Sequence, residues 1–273
     1  MTRYDPNRLN FTPFFTEKER TRLHALAAEF PLSELTGSTR VLEDKSVDYA
    51  YVSSRIEGST YSRKGVSALL NYDRTEGGKL LSDALMVLDI NVAFLYVVNN
   101  ARDLDVCSKT FIKDLHARTT SRQLRPVEQG VVRNKAVRIA GSDYEPLESP
   151  SQLDAEFNYL TEVLKSIDDP FEKAVYAHCS LAYLKYFADG NKRTSRLLQT
   201  AILIHHGIPP IFPRAEEIEN YLHAVVAYYE TGDQRPYAEL FFRNYEYTIN
   251  GLLGHLPEQQ RQIAEDEERL QAA

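Results

Sequence analysis

The stretch LKYFADGNKRTSR, Leu184 to Arg196, decides how this chain is read. An apolar helical run ends in it, Ala188-Asp189-Gly190 interrupts the period, and a second helical run leads on to about His206. The second helix begins near Asn191 or Lys192, so its first backbone N–H groups have no intrahelical acceptor. With the helix dipole they make an anion site. Gly190 lets the backbone turn sharply and come close to a ligand. Arg193 and Arg196 are three residues apart, share a helix face and can grip one polyphosphate. Lys192 adds a point charge. Cations crowded into an N-terminal turn oppose the dipole unless an anion is present. Asp189 would repel phosphates, a conflict that a bridging Mg²⁺ removes through hard oxygen ligands. These residues predict a Mg-nucleoside triphosphate site; a capped helix whose basic turn faces water is the alternative they leave open.

Outward from this stretch, the chain has 273 residues, 43% of them hydrophobic, enough for one large domain or a domain with an appendage. The net charge of -7 argues against a general nucleic-acid binder, which needs a basic excess. Cys107 and Cys179 have no metal or redox spacing and read as reduced thiols, hence a cytoplasmic expectation. The N-terminal residues show no apolar signal region, and no apolar run reads as long enough to span a bilayer, so no membrane partner is expected. A homodimer is left open.

Most of the chain follows the helical period. Thr16 to Glu19 resembles a capping box opening a helix through Leu23, Leu26 and Phe30. Helices follow over Leu42–Ile56, stopped by Gly58, over Leu80–Ala101, and from a Ser108 cap through Leu115. QGVVRNKAVRI, Gln129 to Ile139, has β-branched residues on both sides of Asn134-Lys135 and reads as a short β-hairpin. Helices resume at Ser151–Ile167 and, from an Asp169 cap with Pro170 at the first position, at Phe171–Phe187. Three more helical segments follow the proline-rich turn at 208–213, the last of them the polar Glu258–Ala273. The expected fold is all-α with one small β-hairpin.

Phe187-x-Asp189-Gly190-Asn191-Lys192-Arg193-x-x-Arg196 resembles the signature of the Fic (Fido) family, His-x-Phe-x-Asp/Glu-Gly-Asn-Gly/Lys-Arg-x-x-Arg. VRIAGSDYEP, Val137 to Pro146, is similar to the end of the family's flap hairpin and the loop after it, and YYETGDQRPYAELF, Tyr228 to Phe241, to its C-terminal helical piece. The resemblance implies a helical bundle with a β-hairpin flap and transfer of AMP from ATP to a protein hydroxyl. It implies Asp189 as the Mg²⁺ holder and Asn191 with the loop amides of Gly190 and Lys192 as the cradle of the α- and β-phosphates. Arg193 falls on the β-phosphate side, Arg196 on the γ-phosphate, and Phe187 packs under the loop. The flap at 132–138 would dock a target protein as an added strand. The implied organisation is an N-terminal helical arm at 1–40, an inhibitory helix segment at 41–62, the Fic core at 63–250, and a C-terminal helix or tail at 251–273.

Lys185 stands where the signature has its histidine, which takes the proton from the attacking hydroxyl. A lysine does this only with a strongly lowered pKa, and a neighbouring triphosphate favours the ammonium. Lys185 is therefore expected to be a charged donor. Three readings follow: a nucleotide-binding pseudoenzyme or regulator, a different group as base, or a lysine introduced in place of the natural residue. His178, on the same helical stripe, reads as a satisfied core histidine, and Tyr221, Tyr228 and Tyr229 as core or base-stacking aromatics.

VSSRIEGS, Val52 to Ser59, contains Ser53-x-x-x-Glu57-Gly58, which resembles the family's inhibitory motif. Ser53 and Glu57 are one helical turn apart. A carboxylate on Arg196 would occupy the arginine meant for the γ-phosphate, so a Glu57–Arg196 ion pair is expected. A de-AMPylating phosphodiesterase using Glu57 as base and Lys185 as acid is a further alternative.

Overall fold

Side-chain caps set several helix starts in the computed structural model, which describes residues 2–139 and 141–254. Thr16 and Glu19 cap one another reciprocally and open α1 (Glu17–Glu29). The short α2 (Leu32–Thr36) leads to Ser38, whose hydroxyl accepts from the Val41 N–H at the start of α3 (Thr39–Ile56). Ser62 and Ser108 cap α4 (Arg63–Tyr72) and α6 (Lys109–Thr119) in the same way, on either side of the long α5 (Leu81–Asn100). After α7 (Pro150–Ser166), Asp169 accepts from the Phe171 and Glu172 N–H groups and opens α8 (Pro170–Leu184). Then come α9 (Asn191–His205), α10 (Ile218–Thr231) and α11 (Arg235–Leu253).

The expected helices are present, with α2 and α4 as short additions. The expected segment Glu258–Ala273 lies outside the described residues.

The centre of the fold is the α8–α9 pair. Nearly every residue of both helices is buried, and α9 also packs on α5 and α6, while α3 lies across α5 and touches α10. A helix buried all round must satisfy its polar side chains internally. Thr194, Ser195 and Thr200 do so by donating to the carbonyls of Gly190, Asn191 and Arg196 four residues back.

The β-hairpin expected at Gln129–Ile139 does not form, because its backbone is engaged elsewhere. The Arg133 N–H donates to the Tyr186 carbonyl at 3.0 Å, and the buried Arg133 guanidinium donates to the carbonyls of Lys185, Lys135 and Leu147. Arg133 thus stitches the segment to the turn after α8 and to Leu147, with one further bond to the segment's own Lys135 carbonyl. The one small sheet among the described residues is parallel, Thr2–Arg3 (β1) on Tyr144–Glu145 (β2). A second correction concerns α5. Over Leu81–Asn100 it has mean hydropathy 1.8, long and apolar enough to cross a membrane, but half of it is buried inside the protein. Its Asp89 is fully buried and accepts from Ser121, Arg122 and Gln123, which marks it as a core helix.

The N-terminal arm is part of the same core. Leu9, Phe14, Leu23 and Leu26 join the main hydrophobic cluster. Arg8 donates to the carbonyls of Tyr228, Tyr229 and Glu230 in the last turn of α10, where the dipole favours a cation. Glu172, in the first turn of α8 and 1% exposed, accepts from the Phe14 N–H at 2.7 Å and the Phe15 N–H at 3.2 Å. Burial pushes its carboxyl above the ordinary range, and these two bonds work against that shift.

Replacing Glu172 with alanine orphans two buried N–H groups and should cost about 2–4 kcal/mol. Urea denaturation reads this as a lower midpoint, and limited proteolysis as earlier cleavage before Thr16. An unchanged midpoint would remove Glu172 as the anchor of the arm.

Candidate functional site

Two left-handed residues shape the break between α8 and α9. Lys185 closes α8 with φ 50°, and Gly190 opens α9 with φ 72° and no side-chain cap. The first amides of α9 therefore remain free of a side-chain acceptor. Gly190 is required twice over: its φ suits glycine, and a Cβ there would lie 2.6 Å from Thr120 Cγ2. The loop is held from within. Asn191 accepts from the Phe187 N–H at 2.9 Å and donates to the Phe187 carbonyl at 2.8 Å. The expected role of Asn191 as phosphate cradle therefore narrows to its backbone, since its side chain is committed to the loop.

Phe187 is fully buried and stacks on His116 with ring centroids 3.8 Å apart, under the loop as expected. His116 was not singled out from the sequence. Its Nδ1 accepts from the Gly130 N–H, so Nε2 carries the hydrogen and donates to the Asp189 carbonyl at 2.9 Å. Burial lowers its pKa to about 4, with the Asp189 carbonyl opposing, so it is a neutral strut.

Asp189 and Arg193 pair with each other at 3.0 Å. Arg193 also donates to Gln123 Oε1 at 2.6 Å, and Gln123 in turn donates to the buried Asp89. A chain Asp89–Gln123–Arg193–Asp189 thus runs from the core of α5 to the loop. Arg193 and Arg196 engage different carboxylates, Asp189 and, at the end of α3, Glu57.

Glu57 is the hub of the other side. Its Oε1 lies 2.9 Å from Arg196 Nη2 and its Oε2 3.4 Å from Lys192 Nζ. The Ser53 hydroxyl accepts from Arg196 Nε and Nη2 at 3.0 and 2.9 Å, and the Ser53 carbonyl accepts from Nη2 as well. Burial alone would push the Glu57 carboxyl up, but Arg196, Lys192 and Arg193 outweigh it and hold its pKa at about 2. The contact is therefore complete above the ordinary carboxylate range and is lost only as pH falls towards 2. Lys192 is expected from the sequence as a charge at the loop but not as a partner of Glu57, a role that was legible in principle since Lys192 and Arg196 stand four apart on one helix face.

Arg196 is also held from behind. Its Nη1 donates to the Tyr221 hydroxyl at 3.0 Å, and that hydroxyl lies 3.0 Å from His178 Nε2. Burial, then the Arg196 charge, push His178 well below its ordinary value, so it is the neutral acceptor of the Tyr221 proton. It stacks on Tyr237 at 4.4 Å, a core histidine with one partner rather than a catalyst.

Lys185 departs from expectation. Its side chain is buried beside the loop, with Nζ 4.8 Å from the Tyr229 ring centroid. Burial first, then the Lys192 charge, lower its pKa to about 7 against the pull of Glu57 and Asp189. In the ligand-free fold it exchanges a proton near neutrality, which is what a base needs.

The described residues hold no cluster of three or more His, Cys, Asp or Glu that could cage a metal. Asp189 alone fits a Mg²⁺ shared with a substrate, an ion that takes one or two carboxylates and completes its shell with phosphates and water. Its side chain is 63% exposed at the mouth of the loop.

Residues 106–203 match the Fic/DOC family model. The protein adenylyltransferase Fic of Nematostella vectensis is 29% identical over 78% of this chain and 50% of its own length. The protein adenylyltransferase fic-1 of Caenorhabditis elegans is 29% identical over 92% of this chain and 52% of its own. The chain thus spans about half the length of the curated relatives it matches. A solved structure of C. elegans Fic-1 superposes with TM-score 0.72 at 27% identity, covering 88% of this chain and 71% of the other. A Fic domain containing signaling protein from Bacteroides thetaiotaomicron, 21% identical, shares the fold with TM-score 0.70 over 86% of this chain and 96% of its own.

The buried Lys185 should leave a signature in stability. With a folded-state value near 7 against the ordinary 10.5, the unfolded chain holds the extra proton between those values, so stability rises with pH across that window. Lys185→Met removes the cost of keeping a lysine buried. Its melting temperature should exceed the parent's by several degrees at pH 6 and by much less at pH 9. A gain that does not shrink with pH would place the Lys185 ammonium in solvent.

Proposed function

We propose that this chain, whose residues 106–203 match the Fic/DOC family model, is a protein adenylyltransferase that moves AMP from ATP to a protein hydroxyl and is restrained by Glu57. The observation that carries the reading is the Glu57 carboxylate sitting on Lys192 and Arg196 in the first turns of α9. That turn is built for an anion, and in the empty protein an internal carboxylate takes the place. A polyphosphate competing for Arg196 must displace Glu57.

In this proposal the first amides of α9 receive the phosphates, Arg193 and Arg196 take the charge of the leaving pyrophosphate, and Phe187 and His116 keep the loop rigid. Mg²⁺ at Asp189 supplies neutralisation of phosphate charge when bound. The target hydroxyl attacks the α-phosphorus, the bond to the pyrophosphate oxygen breaks, and the hydroxyl proton passes to neutral Lys185. Phosphates draw the Lys185 pKa upward, so the neutral fraction falls as nucleotide binds. Transfer should be slow at neutral pH, rise with pH, and speed up in Lys185→His. The target segment docks along 132–138, where Asn134, Lys135 and Ala136 are exposed. The hydrolytic alternative is weaker, because a Glu57 held at about 2 is a poor proton acceptor.

Glu57→Gly leaves Lys192 and Arg196 uncompensated and should lower ligand-free stability by about 3–5 kcal/mol. Mg-ATP should restore it, with a larger thermal shift than in the parent. With ATP labelled at the α-phosphate, Glu57→Gly and Glu57→Gly/Lys185→His should label protein, the second faster. Label from the α position only with Lys185→His present identifies a nucleotide-binding pseudoenzyme. Label from the γ position identifies phosphoryl transfer. A Mg-ATP shift no larger than in the parent removes Glu57 as the brake.

A further inference from the structure

Lys185 carries the reactive group of the loop that no partner holds. Among the described residues its Nζ has no hydrogen-bond or ion-pair partner; it meets the face of the Tyr229 ring, 4.8 Å from the centroid. Asp189, Lys192, Arg193 and Arg196 are all paired. The Lys185 backbone, by contrast, is pinned. It is left-handed at φ 50°, one of two such non-glycine residues among those described, and a lysine keeps that conformation only where its surroundings enforce it. Arg133 does so: its Nε donates to the Lys185 carbonyl at 2.6 Å and its backbone N–H to the Tyr186 carbonyl at 3.0 Å. A side chain 8% exposed on a fixed backbone, with a free amine at its end, is preorganised for a reaction rather than for an ion pair.

In the direct transfer given above, Lys185 only receives a proton. We propose that the Lys185 amine is instead a nucleophile that first takes AMP onto itself, as a lysyl phosphoramidate, and then passes it to the target hydroxyl. In the first step Nζ forms a bond to the α-phosphorus, and the bond to the pyrophosphate oxygen breaks with its electrons. The surplus Nζ proton leaves with the pyrophosphate. In the second step the target hydroxyl oxygen bonds to the same phosphorus, and the N–P bond breaks with its electrons returning to Nζ. The hydroxyl proton ends on Nζ and restores the neutral amine. Nothing is oxidised or reduced. The inference rests on the nucleotide-transfer reading and adds a modified form of the protein to it.

Three features favour attack over proton transfer alone. A catalytic base is ordinarily oriented by a third group. Nζ has none among the described residues; an N–H laid on the Tyr229 ring leaves the nitrogen lone pair free. Desolvation and a neighbouring cation are the conditions that activate a lysine as a nucleophile, and both act here, burial first and then Lys192, lowering its pKa to about 7. The lysine stem is also flexible, so an amine within a proton's reach of an attacking hydroxyl can close on the phosphorus itself when no hydroxyl is there. Bound phosphates pull Lys185 towards the ammonium. The nucleotide that displaces Glu57 removes a carboxylate pulling the same way, so part of that effect cancels.

The test uses the full chain carrying Glu57→Gly, with Mg-ATP labelled at the α-phosphate and no target protein. Peptide mapping at alkaline pH should place the mass of one AMP on Lys185. The label should be lost in mild acid and kept in alkali, as a phosphoramidate behaves and a hydroxyl phosphodiester does not. Radiolabelled pyrophosphate should exchange into ATP. Exchange should fall by at least about a hundredfold in Glu57→Gly/Lys185→Arg, which keeps the charge but offers no neutral amine. A Mg-ATP thermal shift shows that this double variant folds and binds, and the adduct map decides even where it does not. Mg-ATP bound to Glu57→Gly with neither label on Lys185 nor exchange overturns the nucleophile; acid-stable label on a hydroxyl then leaves direct transfer standing. Exchange that survives Lys185→Arg overturns it as well. No Mg-ATP shift in Glu57→Gly overturns the nucleotide reading and this inference together.

Discussion

Three cations on the first turns of α9 are the constraint around which this fold is arranged. Lys192, Arg193 and Arg196 repel one another and the positive end of their own helix, and the last two are almost wholly buried. Such a cluster persists only if negative charge meets it. In the ligand-free protein that charge comes from two carboxylates of the chain, Asp189 on Arg193 and Glu57 on Arg196 and Lys192. The readiness of the site for a polyphosphate and the contact that keeps one out are thus two sides of the same electrostatic requirement.

The geometry of these pairs is set by groups that never meet a substrate. Asp89 orients Gln123, which holds Arg193; His178 accepts from Tyr221, which accepts from Arg196. Neutral His116 holds the loop by its Asp189 carbonyl and underlies it through Phe187. Asp89, His178, Tyr221 and His116 are buried, so their hydrogen bonds are strong and hard to exchange for water, while Gln123 is half-buried. The N-terminal arm joins the same system, since Arg8 caps the end of α10 that carries Tyr229 beneath Lys185.

Lys185 shows how environment overrules residue type. A surface lysine stays charged far above neutrality, but burial and the nearby Lys192 bring this one to about 7. A neighbouring triphosphate would draw the same group back towards the ammonium. The charge state of Lys185 is therefore coupled to whatever lies in the cup.

Much was legible in the chain itself. Apolar periodicity, Ser and Asp caps, and Gly190 located the helices and the break between them, because these are local effects of backbone sterics and orphan amides. The run from Phe187 to Arg196 and the Ser53–Glu57 turn named both halves of the central ion pair, and the family resemblance carried by those residues implied that they meet. What local pattern could not decide was partnership. The stretch 129–139 has strand-like residues, yet Arg133 ties it to Tyr186 and Lys185, so no hairpin forms. Gln123, Asp89 and Tyr221 acquire their roles from side chains far away in sequence, and the pKa of Lys185 depends on how many helices cover it. Local sequence sets where helices begin and end; only the packed core sets which charges are buried together, and burial is what turns those charges into a site.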